Sequence, residues 1–260
     1  MSDLVDTQNE RDERGLAIQR VGVKAVRYPL TFEDKDKETQ NTVATLSLAV
    51  NLPKDVKGTH MSRFVEALND NNTPLSVSSI DSLTLSLLKR LPAEEAHINM
   101  RFPYFRNKPA PVTQKSGLLD YEVELDITTA KNSETSTIIS VYVPVTTLCP
   151  CSKAISQYGA HNQRGVVTLS VKATSSLWIE DLIQLIEESA SAQLYSLLKR
   201  DDEKFVTEQA YENPVFVEDL VRNVATKVET ITNISWYRVE AENYESIHNH
   251  NAYAVIESTQ

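Results

Sequence analysis

Between residues 42 and 52 the apolar side chains Leu46, Leu48, Val50 and Leu52 fall on every second position. Such a run is extended, with one face in a core and the other outside it. Similar runs recur along the chain. Residues 21–32 begin with Val21, Val23 and Ala25 alternating against more polar neighbours, and further strands are expected at about 97–104, 118–128 and 137–145. Val167, Leu169 and Val171 mark another, and residues 234–241 and 253–256 close the chain as strands.

Helical spacing fills the gaps. Met61, Phe64, Val65 and Leu68 form one apolar stripe, with Thr59 or Ser62 as its cap. Leu83, Leu87, Leu88 and Leu91 form a second from about Ile80, and Pro92 stops it. Trp178, Leu182, Ile183 and Ile186 form a third face running on to Leu198. Asn213-Pro214 is a helix start for Phe216, Val217, Leu220, Val221 and Val224.

Each half therefore reads strand–strand–helix–helix–strand–strand, a repeat of element order without sequence identity. The expectation is an α+β protein of two tandem units, residues 20–131 and 132–260, after a poorly ordered arm at residues 1–19. Each unit would pair its hairpins into one antiparallel sheet with two helices on one face. Open sheet edges invite pairing with other subunits, so a homo-oligomer is expected.

Charge and cysteine content narrow the function. The net charge of −10 disfavours nucleic acid and membrane surfaces as partners. No run approaches the ~18 apolar residues of a membrane span. The first ten residues lack the basic start and apolar core of a signal peptide. Two cysteines in 260 residues are no disulfide framework, and a cytoplasmic protein is expected.

Both cysteines lie in one polar stretch, Thr146-Thr147-Leu148-Cys149-Pro150-Cys151-Ser152-Lys153, which continues to Gly159-Ala160-His161-Asn162-Gln163-Arg164-Gly165. Around Pro150 an extended chain puts both sulfurs on one face, so one or both cysteines are metal-ligand candidates; alternatively, small cysteines merely pack. Lys153 favours a thiolate. His161 is a second ligand candidate, although its spacing matches no standard zinc pattern. Glu218 lies early in an apolar helix, either complementing the helix dipole or accepting the paired N–H donors of a purine edge as a partly buried group. Glu245, His248 and His250 share a short connection between strands, as polar surface or as acid/base groups and further ligands. Lys153, Arg164, Lys57, His60 and Arg63 are cations that can hold phosphates or stay solvated. No glycine-rich phosphate loop or dinucleotide fingerprint is present.

These motifs, with Gly58-Thr59-His60-Met61-Ser62-Arg63-Phe64 and Ile247-His248-Asn249-His250, resemble the type IB GTP cyclohydrolase I family over nearly the whole chain after the arm. The resemblance implies two tandem tunnelling-fold (T-fold) units in a homotetramer. It implies conversion of GTP to 7,8-dihydroneopterin triphosphate and formate, the entry to folate-type pterins, by metal-activated water attack at C8 of guanine. Carried onto this chain, it implies metal ligation by Cys149, His161 and Glu203 with Glu245 as a further ligand. It makes Glu218 the guanine anchor and His248 the proton-transfer group. The better-known type IA enzymes use a C-x-x-H pair and a distant second cysteine, which this chain lacks. A set of one thiolate, one imidazole and carboxylate is harder, and should accept Mn²⁺ or Fe²⁺ as well as Zn²⁺. The competing readings are a 7-cyano-7-deazaguanine reductase-like enzyme and a non-catalytic purine-binding T-fold protein.

Overall fold

The computed structural model describes residues 6–36, 38–70, 74–175 and 177–259, so the first five residues of the expected arm lie outside it. Two compact units emerge, one formed by residues 1–102 and 124–138, the other by 103–123 and 139–260.

The first unit holds β1 (Ile18–Glu33), β2 (Thr39–Leu52), α1 (Ser62–Asn69), α2 (Asp81–Arg90) and the adjoining parts of β3 (Glu95–Pro109) and β4 (Ser116–Ala130). Its strands run in the order β1-β2-β3-β4, and β2 pairs antiparallel with both β1 and β3. Leu46, Leu48 and Val50 of β2 face the core beside Ile98 and Met100 of β3, and α1 and α2 cover them with Phe64, Leu83 and Leu87. The alternation at the start of β1 does not hold as far as Ala25. That residue has φ +57°, the register with β2 shifts between Val23 and Val26, and Ala25 is exposed. A β-bulge has inserted one residue and moved the inward phase to Val26, Tyr28, Leu30 and Phe32.

Neither Thr59 nor Ser62 caps α1. Met61 stands at the cap without a side-chain bond, and a tight turn supplies the first contact, Arg63 N–H to the His60 carbonyl at 3.2 Å. Residues 8–12 lie along the loop at 55–59, where Gly58 N–H donates to the Gln8 carbonyl at 3.1 Å and Asp12 N–H to the Asp55 carbonyl at 3.0 Å.

The second unit takes the remaining parts of β3 and β4, most of β5 (Ser136–Leu148), then α3 (Pro150–Ile155), β6 (Asn162–Ala173), α4 (Ile179–Glu187), β7 (Ala192–Gln193), α5 (Arg200–Glu212), α6 (Val217–Val228), β8 (Ile234–Asn243) and β9 (Ala252–Thr259). Its order is β3-β4-β5-β6-β8-β9, with β7 on β5. The register pairs Leu169 with Val239 and Val167 with Ala241, and α4 and α6 bury Leu182, Ile186, Leu220 and Val224.

Three local expectations change here. The third helix stops at Glu187 instead of Leu198, because the chain turns at Ser189 and β7 pairs with β5 at Val145 and Thr146. The strand pairing there outweighs a helix-compatible sequence. Residues 200–212 form a helix that periodicity did not reveal, since only Asp202 and Ala210 of it are buried. The last helix begins at Val217, not at Pro214. Val215 N–H donates to the Leu148 carbonyl at 3.0 Å and holds the chain extended across the expected start.

Candidate active site

At the end of β5 the chain passes from strand to helix within one residue. Cys149 is extended (φ −70°, ψ 117°), and Pro150 follows as the first residue of α3, where its missing N–H and fixed φ suit a helix start. Cys149 Sγ accepts from Ser152 N–H at 3.4 Å and so caps α3. The return loop closes on the same residues: Cys149 N–H donates to the His161 carbonyl at 3.1 Å, and His161 N–H donates to Ser152 Oγ at 3.1 Å. Gly159 makes the reversal possible at φ +139°, a conformation side chains disfavour. The two sulfurs do not share a face. Pro150 starts a helix instead of continuing an extended chain, so Cys151 turns outward and is exposed while Cys149 is half-buried.

His161 is oriented from β6. Its Nδ1 lies 3.0 Å from Gln163 Oε1, and Gln163 Nε2 donates to Thr147 Oγ1 at 2.9 Å. With its amide nitrogen committed to Thr147, Gln163 presents an oxygen to the imidazole. That arrangement suits a proton on Nδ1 and a lone pair on Nε2. Glu245 Oε2 is 3.9 Å from the same Nδ1, and the two side chains are 14% and 12% exposed.

Cys149, His161, Gln163, Glu218, Glu245 and His248 line one cavity of about 280 Å³, with His250 and Asn243 also on its wall. The register explains the grouping. Gly165 stands opposite Asn243, and Tyr244 N–H donates to the Arg164 carbonyl at 2.9 Å, so Gln163 and Glu245 meet one step further along the ladder. Glu218, second residue of α6, enters from the helix end; it is exposed, not partly buried, and its negative charge suits that end. His248 and His250 stack at 5.1 Å between ring centres and are both exposed.

The other candidates lie outside the lining of this cavity, Lys57 among them, paired with Glu10. Glu203 is exposed in the first turn of α5. Lys153 bonds the Tyr211 carbonyl and sits 4.4 Å over the Tyr211 ring. Arg164 is exposed on the strand phase opposite Gln163 and Gly165. In the first unit, His60 Nε2 lies 3.3 Å from Asp6 Oδ2, and Arg63 donates to the Arg90 carbonyl at 3.1 Å.

Among the described residues no three His, Cys, Asp or Glu side chains stand together as a ready metal cage. The donor types on the wall nonetheless fit a divalent ion: the Cys149 sulfur, the His161 imidazole and the Glu245 carboxylate. Gln163 and Asn243 were not singled out from the sequence. Both carry a readable signal, a polar side chain on the inward phase of an apolar strand.

A family model described as type I GTP cyclohydrolase folE2 matches residues 4–254. A protein of Akkermansia muciniphila named GTP cyclohydrolase FolE2 is 58% identical over 259 residues, covering 99% of this chain and 98% of that one. One of Aromatoleum aromaticum with the same name is 52% identical over 254 residues, covering 98% and 93%. Among solved structures, uricase from Arthrobacter globiformis matches with a TM-score of 0.50 at 10% identity over 95% of both chains. That likeness concerns the fold alone, the antiparallel tunnelling fold.

Proposed function

The chain belongs to the type I GTP cyclohydrolase FolE2 family, and from that premise we propose that it hydrolyses GTP to 7,8-dihydroneopterin triphosphate and formate. The observation that carries this reading is the single cavity shared by Cys149, His161, Glu218, Glu245 and His248.

The family resemblance assigns a divalent ion, Zn²⁺, Mn²⁺ or Fe²⁺, to Cys149, His161 and Glu203 with Glu245 as a further ligand, and of these Cys149, His161 and Glu245 line the cavity. Such an ion, when bound, lowers the pKa of water and supplies a nucleophile near neutral pH. The remaining work falls to the chain. Glu218 accepts from guanine N1–H and the 2-amino group, a bidentate pairing that adenine cannot make. His248 delivers a proton to the imidazole ring nitrogen of the base and makes C8 more electrophilic. After water adds at C8, a second hydration opens that ring and frees formate. Ribose rearrangement and closure then give the pterin. Lys153, Arg164, His60 and Arg63 are the cations offered to the triphosphate, on the strength of their charge.

The wider setting follows the same reading. We take residues 20–131 and 132–260 as the tandem units after an arm of residues 1–19. Four chains form the working enzyme, in the cytoplasm, and its product enters folate-type pterins. The test is turnover by metal-stripped protein with and without Mn²⁺ or Zn²⁺, following formate and pterin together. Metal-restored release of both is expected. GTP binding without formate would leave a purine-binding protein, and chelation without effect would sink the metal assignment.

A further inference from the structure

Asn243 breaks the pattern of its strand. Tyr237, Val239 and Ala241 hold the preceding inward positions of β8 and are buried; Asn243 continues that phase at 2% exposure with a carboxamide. Its Oδ1 is buried and has no hydrogen-bond partner among the described residues. The residue lines the cavity that also holds Glu218, His161 and Glu245. Across the ladder stands Gly165. A Cβ there would meet Asn243 Oδ1 at 2.6 Å and the Glu242 carbonyl at 2.7 Å, so the glycine keeps room for the amide. A buried acceptor without a donor destabilises the empty protein, and a leucine of similar shape would not carry that penalty.

We propose that Asn243 is a specificity-determining contact to the guanine base, its Oδ1 accepting the 2-amino N–H that Glu218 leaves free. The proposal rests on the reading of Glu218 as the base anchor. Guanine presents three N–H donors on one edge: N1–H and two on the amino group. A carboxylate takes N1–H and one amino hydrogen. The other amino hydrogen needs an acceptor once water is excluded, and Asn243, on the wall of the cavity, carries an acceptor that needs a donor. Hypoxanthine, which lacks the amino group, forfeits this contact.

The experiment compares GTP with inosine triphosphate on Mn²⁺-loaded wild type, Asn243→Leu and Asn243→Ala. The leucine variant should raise KM for GTP about five- to tenfold and move KM for inosine triphosphate much less. The effect should fall on KM more than on kcat, and the Tm of the ligand-free protein should not drop. Asn243→Ala serves the same comparison if leucine does not fit. A parallel rise in both KM values with a lowered Tm would make Asn243 a structural residue, and an unchanged KM for GTP would remove it from the base pocket. Wild type that releases no formate would fail the reading of the reaction. Dissociation constants for the two nucleotides would then decide Asn243 by the same collapse of their ratio.

Discussion

His161 is positioned by its neighbours. Gln163 grips Nδ1 at 3.0 Å and is itself held by Thr147 at 2.9 Å. Gln163→Leu should leave the fold intact but free the ring to rotate and change tautomer. Metal affinity should fall roughly 10- to 100-fold, read by titrating Mn²⁺ into stripped protein. Cys149→Ala removes the softest donor, so metal retention and turnover should both vanish; a fully active alanine variant would end the ligand assignment. Glu218→Gln turns half of a bidentate acceptor into a donor. KM for GTP should rise by at least tenfold while bound metal stays constant, and an unaltered KM would take Glu218 out of the base pocket. The sequence made Cys149, His161, Glu218, Glu245 and His248 visible because each is a reactive type in an unusual run. Gln163 and Asn243 stayed hidden because an amide attracts notice only once its strand phase is known.

At the level of elements, α5 is placed by one carboxylate. Asp202 is fully buried, and it accepts from Val112 N–H at 2.8 Å, Thr113 N–H at 2.8 Å, Thr113 Oγ at 2.6 Å and Lys199 N–H at 2.9 Å. Burial pushes its pKa up, but the bonds from Thr113, Lys199 and Val112 outweigh it and hold the carboxyl well below the usual range. A depressed folded pKa contributes stability above the unfolded value of about 4, lost as pH falls through the folded one. Asp202→Asn should therefore lower Tm at neutral pH and flatten the decline of stability in acid, measured by thermal melts from pH 7 downward. A second buried group is Glu187, which takes Lys108 Nζ and Tyr121 Oη, each at 2.6 Å. Burial lowers the Lys108 pKa against the pull of Glu187. Glu187→Ala would strand that ammonium and should cost about 3–5 kcal/mol in chemical denaturation. Neither device was legible in the sequence. Asp202 stood among a crowd of carboxylates on a helix with no apolar stripe, and only the fold brings the 110–115 turn to it. The strands and the strongly amphipathic helices were legible because their period is their burial pattern.

For the molecule as a whole, the formal charge of −10 opposes a triphosphate. The proposed cations would then have to act locally, and KM for GTP should climb with ionic strength as those short-range attractions are screened. Chelation should abolish formate release without unfolding the chain, seen as unchanged circular dichroism beside lost turnover. That expectation follows from the closed loop at residues 149–161, where Cys149, Ser152 and His161 secure one another through their own backbone and side-chain bonds. Small zinc domains fold only around their ion, so losing it means losing the protein. Here the bonds that shape the loop run between protein groups alone, so a chain stripped of ions should keep this corner of its fold and be ready for a new occupant without refolding.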